Sequence, residues 1–279
     1  MPWDYLLLRF VRRRLPSRLV HALLRRGWVL RPGLETRSPE EAVARYEALL
    51  QAHGRSWQGQ RVFILGYGGY LGVAAELLHR GAAHVVLCDP YAQPDPRRNA
   101  RLASQARYAS FFHPHTHQPR AAYMSIWHED VRALAQRRAL QPVDVVLSTS
   151  VYEHLDDVEG ITRALARLTK PQGIHIHFID LRDHFFRYPF EMLTFSEQTW
   201  RRWLNPTSNL NRLRLPDYAR VFRAHFAQVN IQVLARDLAA FRKVKPRIRP
   251  EFLTGDDEVD AVTHIVVVAQ KPRPDAPAL

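Results

Sequence analysis

The sequence predicts an α/β fold built on a mainly parallel β-sheet with helices on both faces. Two observations support this prediction. Short apolar runs, such as residues 61–65 and 143–147, alternate with longer helical patterns along most of the chain. These runs are apolar at nearly every position, which is typical of strands covered on both faces. With 46% hydrophobic residues among 279, the chain can also build a full core.

Residues 1–55 are predicted to form an N-terminal helical extension. Apolar residues recur at helical spacing in YLLLRFVRRRLPSRLVHALLRR, and Pro16 is expected to break this segment in two. Its polar side chains are almost all arginines. It therefore either lies on an anionic membrane surface or packs on the main domain as a cap, and the cap is favoured. Ser38, Pro39 and Gly54 mark the start and end of the next helix.

Residues 56–272 are predicted to form the main domain, followed by a flexible tail at 273–279. The predicted strands are RVFIL, HVVLCD, AAYMSIW, VDVVLSTS, IHIHFID, QVNIQVLAR and AVTHIVVVAQ. Helical patterns separate most of them, and the pattern between the second and third strands predicts a helix over residues 95–112. The segment 181–214 is rich in aromatic residues and arginine and has poor periodicity. A long insertion directly after the carboxyl end of a strand indicates a lid or substrate wall.

Composition limits the class of protein and its partners. Cys88 is the single cysteine, which excludes an intrachain disulfide framework and a Cys-rich zinc site. No apolar run approaches the roughly 20 residues needed to span a bilayer. No signal-peptide pattern is visible, so a cytoplasmic protein is expected, with peripheral membrane contact through the basic N-terminal helix left open. The net charge of +13 suggests nucleic acid, but the arginines are spread along the chain, so that partner is not expected.

The candidate ligand site follows the first two strands, because ligands of open parallel sheets bind at the carboxyl ends of the strands. Gly66 and Gly68 follow the first strand, and Asp89 ends the second. Glycines let a ligand approach the backbone, and a carboxylate at Asp89 can accept hydrogen bonds from both hydroxyls of a ribose. Together they indicate a ribose-bearing cofactor. A P-loop is excluded, because no Gly-Lys-Ser/Thr follows.

Further polar residues follow the later strands and are expected at the same edge of the sheet. Asp130 follows the third strand and either caps the next helix or accepts a hydrogen bond from an adenine amino group. Glu153 and His154 follow the fourth strand and are candidates for a base or a substrate clamp. The candidates for substrate contact after the fifth strand and in the lid are Asp180, Asp183, His184, Tyr188, Asn211 and Arg212.

No metal ion is expected. Glu153, His154, His177 and Asp180 include ligand types that could converge on a divalent ion. His175 and His177, however, share one face of the fifth strand, where packed and hydrogen-bonded histidines are the favoured interpretation.

Several segments resemble class I S-adenosylmethionine-dependent methyltransferases, from about Gln60 to Lys271. They are VFILGYGGYLGVAAELLHRGA, VVLCDPY, HEDVRAL, NRLRLPDYARVF and, most specifically, EHLDDV followed by LTKPQG. IDLRDH after the fifth strand resembles a mostly bacterial branch. THIVVVAQKP resembles the family's antiparallel last strand. The resemblance implies a Rossmann-like three-layer sandwich, with a mostly parallel seven-stranded sheet and an antiparallel last strand.

The resemblance also implies S-adenosylmethionine as cofactor and assigns residues to its parts. They are Gly66, Gly68 and Leu71 in the glycine-rich motif around the methionine part, Asp89 and Pro90 at the ribose, Asp130 and Val131 beside the adenine, and Ser148 under the methionine part, facing the substrate. Ile64 departs from the pattern, since the family commonly has an acid there that orients the cofactor's amino group. Whether this departure weakens cofactor binding is left open by the sequence.

These features predict methyl transfer to an oxygen atom of a small molecule or of a glycan or lipid intermediate. His154 is the first candidate for the base, with Glu153 orienting it or contacting the substrate. Two alternatives stay open: an RNA methyltransferase, suggested by the charge, and an inactive methyltransferase-like binding protein, suggested by Ile64. A nicotinamide dehydrogenase is a weak fourth hypothesis, because Leu71 stands where its third glycine would be.

Overall fold

The computed structural model describes residues 3–14, 34–185, 187–206 and 209–273. Of the predicted tail, residues 274–279 lie outside the described residues, as do residues 15–33 of the predicted N-terminal extension. Among the helices that the structure describes, none is both long enough and apolar enough to span a membrane.

Seven strands form one mixed sheet in the order β3-β2-β1-β4-β5-β7-β6. The strands are β1 (Arg61–Leu65), β2 (His84–Cys88), β3 (Met124–Trp127), β4 (Val143–Thr149), β5 (Thr169–Asp180), β6 (Phe226–Arg236) and β7 (Val262–Pro272). β7 pairs antiparallel with both β5 and β6, while the other pairs are parallel. This topology confirms the predicted mostly parallel sheet with an antiparallel last strand.

Helices cover both faces of the sheet, as predicted for a three-layer sandwich. The described helices are α1 (Trp3–Arg14), α2 (Leu34–Arg37), α3 (Pro39–Ala52), α4 (Gly72–His79), α5 (Pro96–Ala103), α6 (Val131–Gln136), α7 (Val158–Leu168), α8 (Glu197–Thr199), α9 (Leu215–His225), α10 (Leu238–Val244) and α11 (Asp257–Asp260). Val62 and Ile64 of β1 pack in one core with α3 and α4, and Phe63 and Leu65 pack in the other with α7 and α9. This alternation explains why the strand is apolar throughout.

Two predicted elements have different ends in the structure. The helix predicted over residues 95–112 ends at Ala103, because the chain then turns to bury Tyr108, whose hydroxyl donates a hydrogen bond to Glu76 at 2.7 Å. β5 begins at Thr169, five residues before the predicted strand, because Thr169 already pairs with Val143 of β4.

The segment predicted as a lid builds a third hydrophobic cluster together with α1 and the residues after β6. Its buried members are Tyr5, Phe190, Met192, Leu193, Phe195, Trp200, Leu204, Leu210, Phe241, Val244, Ile248 and Ala261. Two buried arginines hold the segment. Arg212 donates to the carbonyl oxygens of Met192 and Phe195 at 3.0 and 2.7 Å, and Arg214 donates to those of Leu181 and Val262, each at 2.6 Å. The segment is therefore packed and hydrogen-bonded rather than an open loop.

Helix α1 packs on this cluster through Tyr5 and Arg9. Arg9 forms a salt bridge with Asp183, and neither side chain is exposed. The Tyr5 hydroxyl donates to the same carboxylate at 2.5 Å. The Arg9 guanidinium also lies over the rings of Phe185 and Trp200, at 4.7 and 4.8 Å from their centroids. These contacts attach α1 to the main domain, as expected for a helical cap.

His175 and His177 are fully buried on β5 and belong to a hydrogen-bonded chain, as the sequence indicated. Ser148 Oγ lies 2.7 Å from His177 Nδ1, and His177 Nε2 lies 3.2 Å from His175 Nδ1. His175 Nε2 lies 2.8 Å from Thr169 Oγ1. Burial lowers the pKa of His177 to about 3 and that of His175 well below its ordinary value. Both imidazoles are therefore neutral at pH 7.

Acid should destabilise the protein through these two histidines. Because their pKa values are lower in the folded than in the unfolded protein, their contribution is complete above about pH 6.5 and is lost as the pH falls below it. Each histidine should remove about 1.4 kcal/mol of unfolding free energy per pH unit. The unfolding free energy measured by urea denaturation should fall between about pH 6.5 and 4.5, and His177→Gln should make this fall less steep. The exposed control His115→Gln should not change it, and an equal slope in both variants would refute the assignment.

Candidate cofactor and acceptor site

The turn after β1 has a backbone that only glycine adopts readily. Gly66, Gly68 and Gly69 have φ angles of 74°, 65° and 84°. A Cβ atom would clash with Val151 at Gly66 and with the carbonyl of Gln93 at Gly69. The glycines therefore serve both the conformation of the turn and the close packing of its neighbours.

Asn99 on α5 holds this turn from the side and was not identified from the sequence. Its Nδ2 donates to Gly69 O at 3.0 Å, and its Oδ1 accepts from Leu71 N at 3.0 Å. Asn99 is buried and lies about thirty residues further along the chain, so no local pattern could indicate this contact.

A cleft of about 190 Å³ opens at the carboxyl ends of β1 and β4. It is lined by Glu35, Tyr46, Ile64, Leu65, Gly66, Tyr67, Gly68, Tyr70, Val73, Leu87, Leu147, Thr149 and Ser150. Two of the predicted cofactor residues, Gly66 and Gly68, are among them. The location matches the edge of the sheet at which the sequence predicted a ligand.

Asp89 lies beside the glycine turn. Its Oδ2 accepts a hydrogen bond from Gly68 N at 3.2 Å, and its Oδ1 accepts from Tyr91 N and Ala92 N, both at 2.9 Å. The neighbouring Pro90 is exposed. A carboxylate fixed at this point of the turn is suited to accept the hydroxyls of a ribose, as the sequence indicated.

Asp130 caps helix α6 at the end of β3. Its Oδ1 accepts from Arg132 N at 2.8 Å, and its Oδ2 accepts from the Arg132 guanidinium at 2.6 Å. The hydrogen bonds from Arg132 lower the pKa of Asp130. Of the two alternatives that the sequence left open, the capping contact is present in the structure.

Three of the predicted cofactor residues, Leu71, Val131 and Ser148, do not line the cleft. Val131 and Leu71 are buried in the two cores of the sheet. Ser148 bonds to His177, because successive side chains of a strand point to opposite faces. Leu147 and Thr149, on either side of it, line the cleft. The side chain that lines the cleft at the end of β4 is therefore that of Thr149.

Glu35 brings a carboxylate to the cleft from the N-terminal part of the chain. It forms an ion pair with Arg45 at 2.9 Å. The Arg45 guanidinium lies 3.7 Å from the centroid of the Phe178 ring, and the hydroxyls of Tyr46 and Thr149 lie 2.5 Å apart. Ile64, the departure noted in the sequence, lines the same cleft. An acid is therefore present in the cleft, although it does not come from β1.

Glu153 and His154 lie in a single turn, Tyr152–His154, that follows β4 and meets His184 after β5. One carboxylate oxygen of Glu153 and one ring nitrogen of each histidine lie within 4.8 Å of one another. Burial and the nearby charge of Asp180 raise the pKa of Glu153 well above its ordinary value. Its two oxygens have no hydrogen-bond partner in the part of the chain that the structure describes. We call these three residues the Glu153 cluster.

Asn211, predicted as a substrate residue, fixes the turn that carries this cluster. Its backbone N donates to Glu153 O at 2.9 Å, and its Nδ2 donates to the carbonyl oxygens of Tyr152 and Leu155 at 2.7 and 3.1 Å. In the structure, Asn211 therefore positions the Glu153 backbone.

The other predicted substrate residues also contact protein groups. Asp180 binds the Arg182 guanidinium at 2.8 Å. Although burial opposes it, hydrogen bonds from His264 and Arg182 hold the pKa of Asp180 below its usual range. Asp183 and Arg212 are buried in the contacts described above, and Tyr188 donates to Asp4. His184 alone among the six joins the Glu153 cluster. Direct substrate contact by these residues stays a prediction.

A comparison with protein families indicates a methyltransferase, which agrees with the cofactor site predicted at the glycine turn. A family model described as a methyltransferase domain matches residues 13–235. No curated protein matches the chain.

The chain is also similar to solved structures, of which three are given. An O-methyltransferase family protein from Burkholderia thailandensis is 14% identical, with 83% of this chain and 55% of that chain covered and a TM-score of 0.47. A candidate sarcosine dimethylglycine methyltransferase from Galdieria sulphuraria is 14% identical, with 83% and 87% covered and a TM-score of 0.49. A candidate methyltransferase in complex with the Trm112 activator of Haloferax volcanii is 18% identical, with 84% and 92% covered and a TM-score of 0.44. Similarity this distant does not bear on the substrate.

Proposed function

The chain belongs to the methyltransferase domain family, whose members use S-adenosylmethionine, and we propose that it methylates an oxygen atom of a small molecule or of a glycan or lipid intermediate. The observation that carries the proposal is the glycine turn with Asp89 beside it, where the turn lines a cleft together with Ser150. The Glu153 cluster begins three residues after Ser150. Cofactor and acceptor sites thus lie at the ends of neighbouring strands.

The residues of the cleft suit the parts of this cofactor. The glycines with positive φ angles admit a ligand close to the backbone, and the Asp89 carboxylate beside them suits the ribose hydroxyls of the cofactor. Glu35 suits a cationic group, and the cofactor carries an ammonium and a sulfonium. When bound, the cofactor supplies a methyl group that its sulfonium already activates.

The chain's own residues then have to align the acceptor and allow its proton to leave. In the proposed reaction, the acceptor oxygen forms its bond to the methyl carbon while the carbon–sulfur bond breaks. The electron pair of that bond stays on sulfur, which leaves S-adenosylhomocysteine, and the hydroxyl proton passes to Nε2 of His154. We place the acceptor hydroxyl beside Glu153 and His154, because Ser150 and Val151 connect the cleft to their turn.

Release of S-adenosylhomocysteine tests this proposal. Purified protein with S-adenosylmethionine should release it with hydroxylated small molecules, glycans or lipid intermediates, and mass spectrometry should find the methyl group on oxygen. Turnover with RNA alone would favour the RNA methyltransferase instead. Cofactor binding without release for any acceptor would favour the inactive binding protein.

Glu35 should strengthen cofactor binding, in the role that Ile64 cannot fill. Glu35→Gln should weaken the affinity for S-adenosylmethionine about 5- to 10-fold, because a half-exposed charge is expected to contribute roughly 1 kcal/mol of binding free energy. Glu41→Gln, an exposed position on the neighbouring helix α3, is the matched control and should bind as the wild type does. Calorimetric titration measures both, and equal affinities in the two variants would refute the role of Glu35.

Peripheral membrane contact, which the basic N-terminal segment suggested, is also part of the proposal. Trp3 and Leu7, one helical turn apart on α1, are 83% and 66% exposed. Exposed apolar side chains on a basic helix suit an anionic lipid surface. The protein should pellet with anionic liposomes at physiological salt, and a Trp3→Ser, Leu7→Ser variant should not. Failure of the wild type to pellet would argue for a purely cytoplasmic enzyme, and equal pelleting of both proteins would show that Trp3 and Leu7 do not make the contact.

A further inference from the structure

The Glu153 cluster combines one carboxylate with two imidazoles, contributed by the segments that follow β4 and β5. The candidate ligand atoms lie within 4.8 Å of one another, and the two imidazole rings meet edge to face, with their centroids 4.8 Å apart. Three side chains of metal-ligating types are thus brought together from two segments at the carboxyl edge of the sheet.

The carboxylate of Glu153 is buried without a side-chain partner among the described residues. Glu153 is only 2% exposed, and neither carboxylate oxygen has a hydrogen-bond partner in that part of the chain. Arg182 and His264 form their ion pairs with Asp180. A buried, unpaired carboxylate is costly unless a cation is bound beside it or it takes up a proton.

His154 is held as metal-binding histidines commonly are. Its Nδ1 lies 2.8 Å from the carbonyl oxygen of Asn209, which can only accept, so Nδ1 carries the proton and Nε2 keeps the lone pair. Asn209 in turn donates from Nδ2 to His154 O at 3.0 Å. A backbone carbonyl that fixes the tautomer and orientation of an imidazole is the usual outer support of a metal ligand.

We propose that Glu153, His154 and His184 bind a divalent transition metal ion. Two imidazoles and one carboxylate suit ions such as Zn²⁺ or Mn²⁺, whereas Mg²⁺ and Ca²⁺ prefer oxygen ligands. Binding would draw the three side chains closer, because ligands about 2.1 Å from an ion lie roughly 3 Å apart. Three protein ligands leave coordination positions open for another molecule.

The consequence for catalysis rests on the proposed function. An ion with open positions would hold the acceptor oxygen and lower the pKa of its hydroxyl. His154 would then act as a ligand rather than as the base. The proposed ligand set also differs from the one considered in the sequence, which contained His177 and not His184 and for which no metal was expected.

Metal titration of the chelator-treated full-length protein, without cofactor, tests the proposal. Calorimetry with ZnCl₂ and MnCl₂ should show one ion per chain, and MgCl₂ should bind far more weakly. Glu153→Gln and His184→Ala should each weaken binding at least about 10-fold. His115→Ala, in an exposed loop, controls for binding by surface histidines and should leave the affinity unchanged.

The outcomes separate this proposal from the proposed function. No binding of either transition metal, or the same affinity in Glu153→Gln, His184→Ala and wild type, would overturn the metal site while leaving methyl transfer untouched. Circular dichroism should show that both variants fold, since Glu153→Gln removes an uncompensated buried charge. Metal binding that depends on Glu153 and His184 would support the site even if no acceptor is methylated.

Discussion

The Asp183→Ala variant is expected to lose about 3–5 kcal/mol of unfolding free energy. The substitution leaves the fully buried guanidinium of Arg9 without its counter-ion and removes the acceptor of the Tyr5 hydroxyl. It also removes the side-chain oxygen that accepts from Phe185 N at 2.9 Å. Helix α1 and the segment that follows β5 should therefore separate or rearrange.

Urea denaturation measures this loss, with an exposed ion pair as the control. Glu129→Ala breaks a salt bridge to Arg137 in which both side chains are largely exposed, and it should cost at most about 1 kcal/mol. Asp183→Asn keeps an oxygen that accepts hydrogen bonds but loses the charge, so its loss of unfolding free energy should lie between those of the other two variants. A loss in Asp183→Ala no larger than that of Glu129→Ala would show that α1 does not depend on this buried pair.

The Asp89→Ala variant should lose about 3 kcal/mol of cofactor binding free energy, roughly a 100-fold weaker affinity. The expected size follows from two hydrogen bonds between ribose hydroxyls and a charged acceptor, at about 1.5–3 kcal/mol each. Calorimetry with S-adenosylhomocysteine measures the change. Asp144→Ala is the matched control, because Asp144 binds Lys170 and Arg61 N at the opposite end of β4 and should not alter binding.

Asp89 also supports the turn itself, so the variant needs a separate check of its fold. Its Oδ1 accepts from two backbone N–H groups. Asp89→Asn keeps an acceptor for them and should retain the thermal stability of the wild type, yet it should still bind the cofactor more weakly. Unchanged affinity in both variants would mean that the ribose is bound elsewhere.

Features encoded in short stretches of sequence could be predicted. Apolar strands, the glycine turn and Asp89 are each visible within a few residues, and the sheet and the cofactor edge followed from them. Strand alternation alone indicates that Ser148 and Thr149 point to opposite faces. It does not say which face opens on the cleft, because that depends on the packing of α3 and its Tyr46 against the sheet.

Features built from distant segments could not be predicted. Glu35 reaches the cleft from a helix that precedes β1, and Asn99 holds the glycine turn from α5, which follows β2. His184 meets Glu153 only because β4 and β5 are neighbours in the sheet. Asp183 and Arg212 are buried polar contacts of the third hydrophobic cluster, which no local pattern in the aperiodic insertion indicates. Their contact with a substrate stays a prediction.

Competitive binding of S-adenosylmethionine, S-adenosylhomocysteine and NAD to the wild-type protein is the most direct test of the central assignment. In calorimetric titrations, S-adenosylmethionine and S-adenosylhomocysteine should each bind one site per chain and compete with each other, and NAD should not displace them. Failure of both sulfur-containing cofactors to bind at millimolar concentration, or their displacement by NAD, would contradict the assignment of the glycine turn and Asp89 to a methyltransferase site.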